Sequence, residues 1–373
     1  MPGPNGSTTA TVGNIALSSQ TNKSDVSLPD YDKDKVEDIG FLTAMTLTIL
    51  GNYAQTGHFG GPLAYTPYAV TSHLIGPENG GLRYDYRRPK HPYADRFMLA
   101  GGHNTPVNYA MWMIMGEALS RQHACTGDEK YAADPTTSML SIDALGFRRG
   151  QGALDTLLQD TDLVDHPLMA QAKIRGIRAL AGHSESTDLT NDVNGGPSGI
   201  AIATAAGKAA FWDMVGAPDS LKIIALEGEF AMTSGHSQEL KTTAVAQQVG
   251  KRLRILLSYN NAGIDDSLVG GVIKPEFDAY QLEGQWASYG WNVLTLDDAN
   301  DYDQVAGVLK TMEDWDIKRV VKAYGAAAAR CREGELDGIE IEAYGHLLDS
   351  FWTPTINRRT DEYGGTLKNR MRF

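Results

Sequence analysis

Two short apolar runs, roughly thirty residues apart, fix most of what this chain can fold into. The first extends from Leu221 to Glu229 and stops at Gly228, which is followed by the carboxylate of Glu229. The second extends from Arg254 to Ser258 and ends in the amides Asn260 and Asn261, then Ala262, Gly263, Ile264 and Asp265. Runs of this length and composition read as parallel strands buried on both faces. Parallel α/β sheets take their ligands just beyond the carboxyl ends of such strands. A carboxylate, an amide oxygen and a backbone carbonyl are the oxygen ligands that a hard divalent cation prefers. The pair of strand ends is therefore a candidate site for Mg2+ or Ca2+ carrying a diphosphate.

At 373 residues the chain has room for two domains, and 42% apolar with 21% charged residues fits an ordinary globular protein. A net charge of −13 argues against nucleic acid or an anionic membrane as partner. An anionic cofactor stays open, because a bound cation inverts the local field. Cys125 and Cys331 are too few for a disulfide framework, which suggests a reducing, cytoplasmic setting. No apolar run is long enough to span a bilayer. Residues 1–32, rich in Ser, Thr, Asn and Gly at the outset, are expected to form a disordered tail.

Helical spacing of Val36, Ile39, Leu42, Met45 and Ile49 predicts a helix from Lys33 to about Ala54. A glycine loop follows over 56–62, and a long polar loop over 76–96. A short buried strand is expected at 96–100, a helix at 106–120 and a small-residue helix from Ile200 to Trp212. The tail of the pattern adds a helix near 277–289, a strand at 291–296 and a helix near 301–313. His58, His103 and His183 each sit in a glycine-containing turn. Histidine can donate to phosphate or sugar oxygens, and adjacent glycine lets backbone approach a ligand. Any one of them reads most simply as a satisfied loop histidine. Three in the same local context point to a shared pocket.

These motifs, in order, resemble the amino-terminal domain of transketolases. Gly57 to Pro62 is similar to that family's first Gly-His loop, and Gly101-Gly102-His103 follows Asp95-Arg96-Phe97 as the family's second does. Ala181-Gly182-His183 resembles its third, Gly196-Pro197-Ser198-Gly199 its Gly-Pro turn, and Trp286 to Val293 the segment after its metal loop. The resemblance covers about residues 35–316 and implies an α/β, parallel-sheet, thiamine-diphosphate-binding fold. It implies catalytic roles for His58, His103 and His183. It implies cofactor contacts from His103, Gly196, Ser198, Gly228, Glu229, Asn260 and Ile264. The metal would be Mg2+ or Ca2+, held by Glu229 with either Asn260 and the carbonyl of Ala262, or Asn261 and that of Gly263. The implied reaction is ketol transfer between sugar phosphates, incomplete without a pyrimidine-binding partner domain in a homo- or hetero-oligomer. Two departures stand out: Glu229 replaces an aspartate, and Phe230 replaces a glycine where backbone should pass close to phosphate.

From about residue 317 the chain changes character. The run from Asn357 to Gly365, after a strand-like segment at 337–342, resembles old-yellow-enzyme-type flavin oxidoreductases of the trimethylamine dehydrogenase branch. Residues 317–373 cover a small part of the eightfold unit of a (β/α) barrel, which needs about 250 residues. The expectation is a truncated barrel fragment with FMN unlikely as cofactor. The domains read as 1–32, 33–316 and 317–373. The alternatives to ketol transfer are a flavin-dependent NADH oxidoreductase fragment, or a non-catalytic fusion with a degenerate cofactor site.

Overall fold

The computed structural model describes residues 28–134, 137–149, 154–156, 159, 172–173, 175–197, 199–247, 249, 252–259, 282–296, 298–313, 359 and 365–370. Three strands form a parallel sheet in the order β1 (Arg96–Leu99), β2 (Ile223–Gly228) and β3 (Leu253–Ser258). Arg96 sits opposite Ile223, and Ile223 opposite Leu253, so all three carboxyl ends lie on one edge. Strand side chains alternate between faces, and the two faces bury different partners. Phe97, Leu99, Ile224, Leu226 and Leu256 point into a layer built from α1 (Lys33–Ala54), α2 (Gly60–Leu74) and α3 (Pro106–Thr126). Met98, Ala100, Ile223, Ala225 and Leu253 face α4 (Ile200–Met214), α5 (Gly235–Ala246) and α6 (Leu282–Ser288). The small side chains of Ala201, Ala205 and Ala209 bring α4 close to the sheet. The result is the helix–sheet–helix layering expected of parallel strands buried on both sides.

Helix α1 has the limits its sequence predicts but packs on another face. Its buried positions are Val36, Gly40, Thr43, Leu47, Leu50 and Ala54, whereas Leu42, Met45 and Ile49 are exposed. The helix carries two apolar stripes. The one that wins includes Gly40, where any Cβ would overlap the hydroxyl of Tyr302 from a helix over residues 302–313, which we label α7. Val305, Ala306 and Leu309 of α7 complete the core on that side. Helix α2 was not foreseen, because Pro62 and Pro67 argue against a helix; Pro62 lies in the first turn, where its missing N–H costs nothing. The strand expected at 291–296 does not form. Trp291 instead packs edge-on against Trp286 at 4.8 Å, and its indole N–H donates to the Lys241 carbonyl on α5.

Of the positions singled out from sequence, Ser198, Asn260, Asn261, Ala262, Gly263 and Ile264 lie outside the described residues, as do 1–27 of the expected tail. Most of 317–373 lies outside them as well.

Candidate functional site

The three histidines converge at the carboxyl edge of the sheet. His58 lies on the loop joining α1 to α2, where Gly57 takes a φ of +121° that a side chain would resist. Phe59, just beyond it, anchors the loop against Phe147 at 6.0 Å. His103 sits on the short 3-10 turn Gly102–Asn104 that links β1 to α3. His183 lies between two tie points, where Leu180 bridges to Phe147 and Ser184 bridges to Gly195. The loops lock together through backbone: Ser184 N–H donates to the Gly102 carbonyl at 3.0 Å, and Gly195 N–H to the Ser184 carbonyl at 2.9 Å. Gly102 abuts the Gly195 carbonyl so closely that no Cβ could be placed there. The His58 ring centroid is 5.2 Å from that of His103 and 6.3 Å from that of His183, both nearly perpendicular.

Charge is held down on two of the three rings. Burial, then the proximity of His58 and His183, lowers the His103 pKa. Burial, then His58 and the Arg148 guanidinium, lowers that of His183. Neutral imidazoles can each donate and accept one hydrogen bond. Asn104 Nδ2 donates to His103 Nε2 at 3.2 Å, which makes His103 Nδ1 the protonated ring nitrogen of the neutral form. His58 is exposed and the other two rings are half-buried, so a ligand can reach all three.

Beneath the cluster lies an ionisable group that sequence reasoning passed over. Glu227, 1% exposed, was read as part of an apolar run. Its Oε2 accepts from Gly199 N–H at 3.1 Å, at the start of α4, and its Oε1 from Gly228 N–H at 2.9 Å. Burial outweighs these two bonds and raises its pKa to about 7. Arg148 was missed as well, for a different reason. Its proximity to His183 depends on the bridge between Phe147 and Leu180, a non-local contact with no local sequence signature. Its backbone N–H donates to the Leu180 carbonyl at 2.8 Å.

The remaining expected site residues divide. Gly228 ends β2, and Glu229 begins a 3-10 turn, Glu229–Thr233, with its side chain buried. Helix α5 is capped by Ser234, so Glu229 is not its cap. Phe230 packs against the core layer on the α4 side. Gly196 lies exposed in the loop before α4, with open space where a side chain would go. Among the described residues, no group of three or more His, Cys, Asp or Glu is placed to hold a metal. None of the described helices is long and apolar enough to cross a membrane.

Comparison with known proteins divides the chain. Residues 292–373 match the sequence model of the NADH:flavin oxidoreductase / NADH oxidase family. A multifunctional alkene reductase/demethylase of Caballeronia cordobensis is 56% identical over 64 residues, 17% of this chain and 10% of the relative. An N,N-dimethylglycine/sarcosine dehydrogenase of Chromohalobacter salexigens is 34% identical over 121 residues, 32% of this chain and 17% of the relative. An NADPH dehydrogenase of Bacillus subtilis is 41% identical over 73 residues, 19% and 22% of the two chains. Among solved structures, a transketolase of Pichia stipitis superposes with a TM-score of 0.53 at 20% identity, over 76% of this chain and 34% of that one. The same enzyme's complex with sedoheptulose-7-phosphate gives 0.53 at 19%. The chain thus spans a third of the transketolase chain and about a tenth to a fifth of the curated relatives.

The cofactor expectation requires correction. The family match over 292–373 and the flavin-enzyme relatives point to FMN, which the sequence reading set aside in favour of thiamine diphosphate and Mg2+ or Ca2+. A short segment lacks the barrel strands to hold a flavin by itself. That does not decide which cofactor its family uses. The likeness to transketolases is one of fold at low identity and brings no cofactor with it. The described α/β body therefore has a transketolase-like fold, and the carboxyl-terminal segment carries flavin oxidoreductase sequence.

Proposed function

We propose that residues 292–373 serve a flavin-dependent oxidoreductase of the old-yellow-enzyme kind, accepting hydride from a reduced nicotinamide and delivering it to a small organic acceptor. The observation that carries this reading is the family match over those residues, together with the motif from Asn357 to Gly365. FMN, when bound, supplies the hydride chemistry, and the protein supplies its position and electronic surroundings. A complete barrel takes about 250 residues, so the flavin site needs strands beyond this segment, from a longer polypeptide or a second chain. The test is complementation. The full chain is mixed with FMN and with the barrel strands of a relative that lie outside the matched region, then assayed for retained flavin and NADPH oxidation. Retained flavin supports the reading; colourless protein and no oxidation in every mixture would sink it.

A second reading is favoured by the histidine cluster. The edge carrying His58, His103 and His183 is where a parallel sheet takes its ligands. The transketolases of like fold include complexes with xylulose-5-phosphate, sedoheptulose-7-phosphate and fructose-6-phosphate. In this reading the cluster binds a phosphorylated sugar through imidazole donors, as the ketol-transfer expectation requires. Calorimetric titration of the full chain with xylulose-5-phosphate tests it. Heat that disappears in His103→Ala supports sugar binding at the cluster, and no heat in the unaltered protein excludes it.

A further inference from the structure

We infer that Arg148 and His183 form the anion-binding end of the histidine pocket, taking the phosphate group of a small-molecule ligand. This rests on the sugar-phosphate reading for the choice of ligand, and on the geometry around Arg148 for the site.

Arg148 is held in an unusual conformation. Its φ of +54° places a long side chain in the left-handed region that glycine normally occupies. The conformation is imposed from both sides: Arg148 N–H donates to the Leu180 carbonyl at 2.8 Å, and Leu180 N–H donates to the Gly146 carbonyl at 3.0 Å. This directs the side chain across Gly182. A Cβ at Gly182 would sit 3.1 Å from both Arg148 Cζ and Nε, so the absence of a side chain there lets the guanidinium approach the backbone next to His183. A left-handed, non-glycine residue that persists because its surroundings fix it is a recurrent mark of a ligand clamp.

The charge balance around Arg148 points the same way. It is exposed, and among the described residues it makes no ion pair and no side-chain hydrogen bond. Several buried or half-buried arginines elsewhere have carboxylate partners: Arg96 with Asp192, Arg175 with Asp143, Arg252 with Asp213. Arg148 lies beside the His183 imidazole instead, and its charge helps keep His183 unprotonated. A planar guanidinium beside an imidazole N–H donor, with no carboxylate between them among the described residues, suits a phosphate oxygen fork. When a dianion settles there it reverses the local field, and His183 gains its proton more readily.

The test uses ring resonances of histidines in the full chain, titrated with pH and with inorganic phosphate, acetate or xylulose-5-phosphate. In the unaltered protein phosphate should produce a saturable shift at His183 and raise its pKa. Arg148→Met should weaken that affinity by about tenfold or more, the range expected for losing a charge-assisted hydrogen bond. Arg148→Lys should keep the charge and part of the affinity, a distinction that a merely structural role would not produce. Equal phosphate affinity in Arg148→Met and unaltered protein overturns the inference, as does a shift that tracks ionic strength without saturating. Acetate binding as tightly as phosphate overturns phosphate as the ligand. Sugar phosphate binding no tighter than inorganic phosphate leaves this site standing and removes the sugar reading. Sugar phosphate binding undiminished in Arg148→Met does the reverse.

Discussion

The two ends of the sheet treat charge in opposite ways. At the amino ends of the strands, ionic groups are closed off by partners. Asp95, completely buried, accepts from the backbone N–H groups of Arg83 at 2.6 Å and Lys222 at 2.8 Å. Lys222 reaches Glu313 at 2.8 Å. Arg252, just before β3, places all five of its N–H donors: on Asp213, Asp219 and the carbonyls of Ala217, Pro218 and Leu221. At the carboxyl ends the pattern reverses. Glu227 is buried with backbone partners and, among the described residues, no cation, the three histidines crowd one another, and Arg148 stands over Gly182. Stability is concentrated at one edge and unspent interaction capacity at the other. That division matches the general rule for open parallel sheets, whose ligands sit beyond the carboxyl ends.

The strongest way to break this contrast is Arg252→Met. It removes the guanidinium that pairs with Asp213 and Asp219 and bonds three carbonyls, and removing one side of a buried charged network costs about 3–5 kcal/mol. Urea unfolding at neutral pH should show a loss of that order, while the ring resonances of His58, His103 and His183 stay in place. Moved resonances would mean that the two edges are not independent.

Next in size is a pair of pH effects that offset each other. Glu227 has a folded-state pKa of about 7 against an ordinary value of 4.5. The native state therefore holds its proton more tightly than the unfolded chain does. Its contribution is greatest below pH 4.5 and is lost as pH rises to about 7, roughly 3 kcal/mol in all. His73, buried among Tyr84, Tyr86 and Phe97, has its pKa pushed from 6.5 down to about 4 by burial. Its contribution is present above pH 6.5 and lost as pH falls to about 4, by a similar amount. Over the shared window the two slopes oppose. Unfolding free energy measured against pH should therefore change little in the unaltered protein. In Glu227→Gln it should fall toward acid, and in His73→Phe it should fall toward neutral pH. Parallel profiles in all three proteins would refute the assignment.

The smallest effect sharpens the contrast. Arg148→Gly removes a left-handed side chain and should raise stability by up to about 1 kcal/mol, while the His183 pKa rises because a neighbouring positive charge has gone. Function and stability would then be seen to compete at one residue. Thermal unfolding together with the histidine titration decides it.

Much of this architecture was legible from the chain. The apolar runs gave all three strands within two residues, since a strand buried on both faces needs nothing but apolar side chains. Histidine beside glycine gave the cluster. What escaped was set by tertiary context. The face of α1 could not be chosen without knowing that Tyr302 fills the niche over Gly40. Proline in α2 masked a helix whose first turn tolerates Pro62. Glu227 was hidden inside an apolar run, and Arg148 depended on a contact across more than thirty residues. The β-branched and aromatic residues of 291–296 suggested a strand, but Trp291 found its donor bond on a helix.

Helix α7 has a consequence for how the two parts of the chain meet. The match to the flavin family begins at residue 292, yet residues 302–313 are wedged into the transketolase-like body. Tyr31 and Lys33 bond Asp303 at 3.0 and 2.7 Å, and Lys310 reaches the Glu78 carbonyl at 3.1 Å. A gene cut at the point of sequence similarity would strip Val305, Ala306 and Leu309 from that body's interior and leave bare the hollow they fill. Any exchange of the flavin-related segment for another version must therefore import a helix that fits a foreign groove, so the seam in the sequence and the seam in the folded molecule lie at different residues.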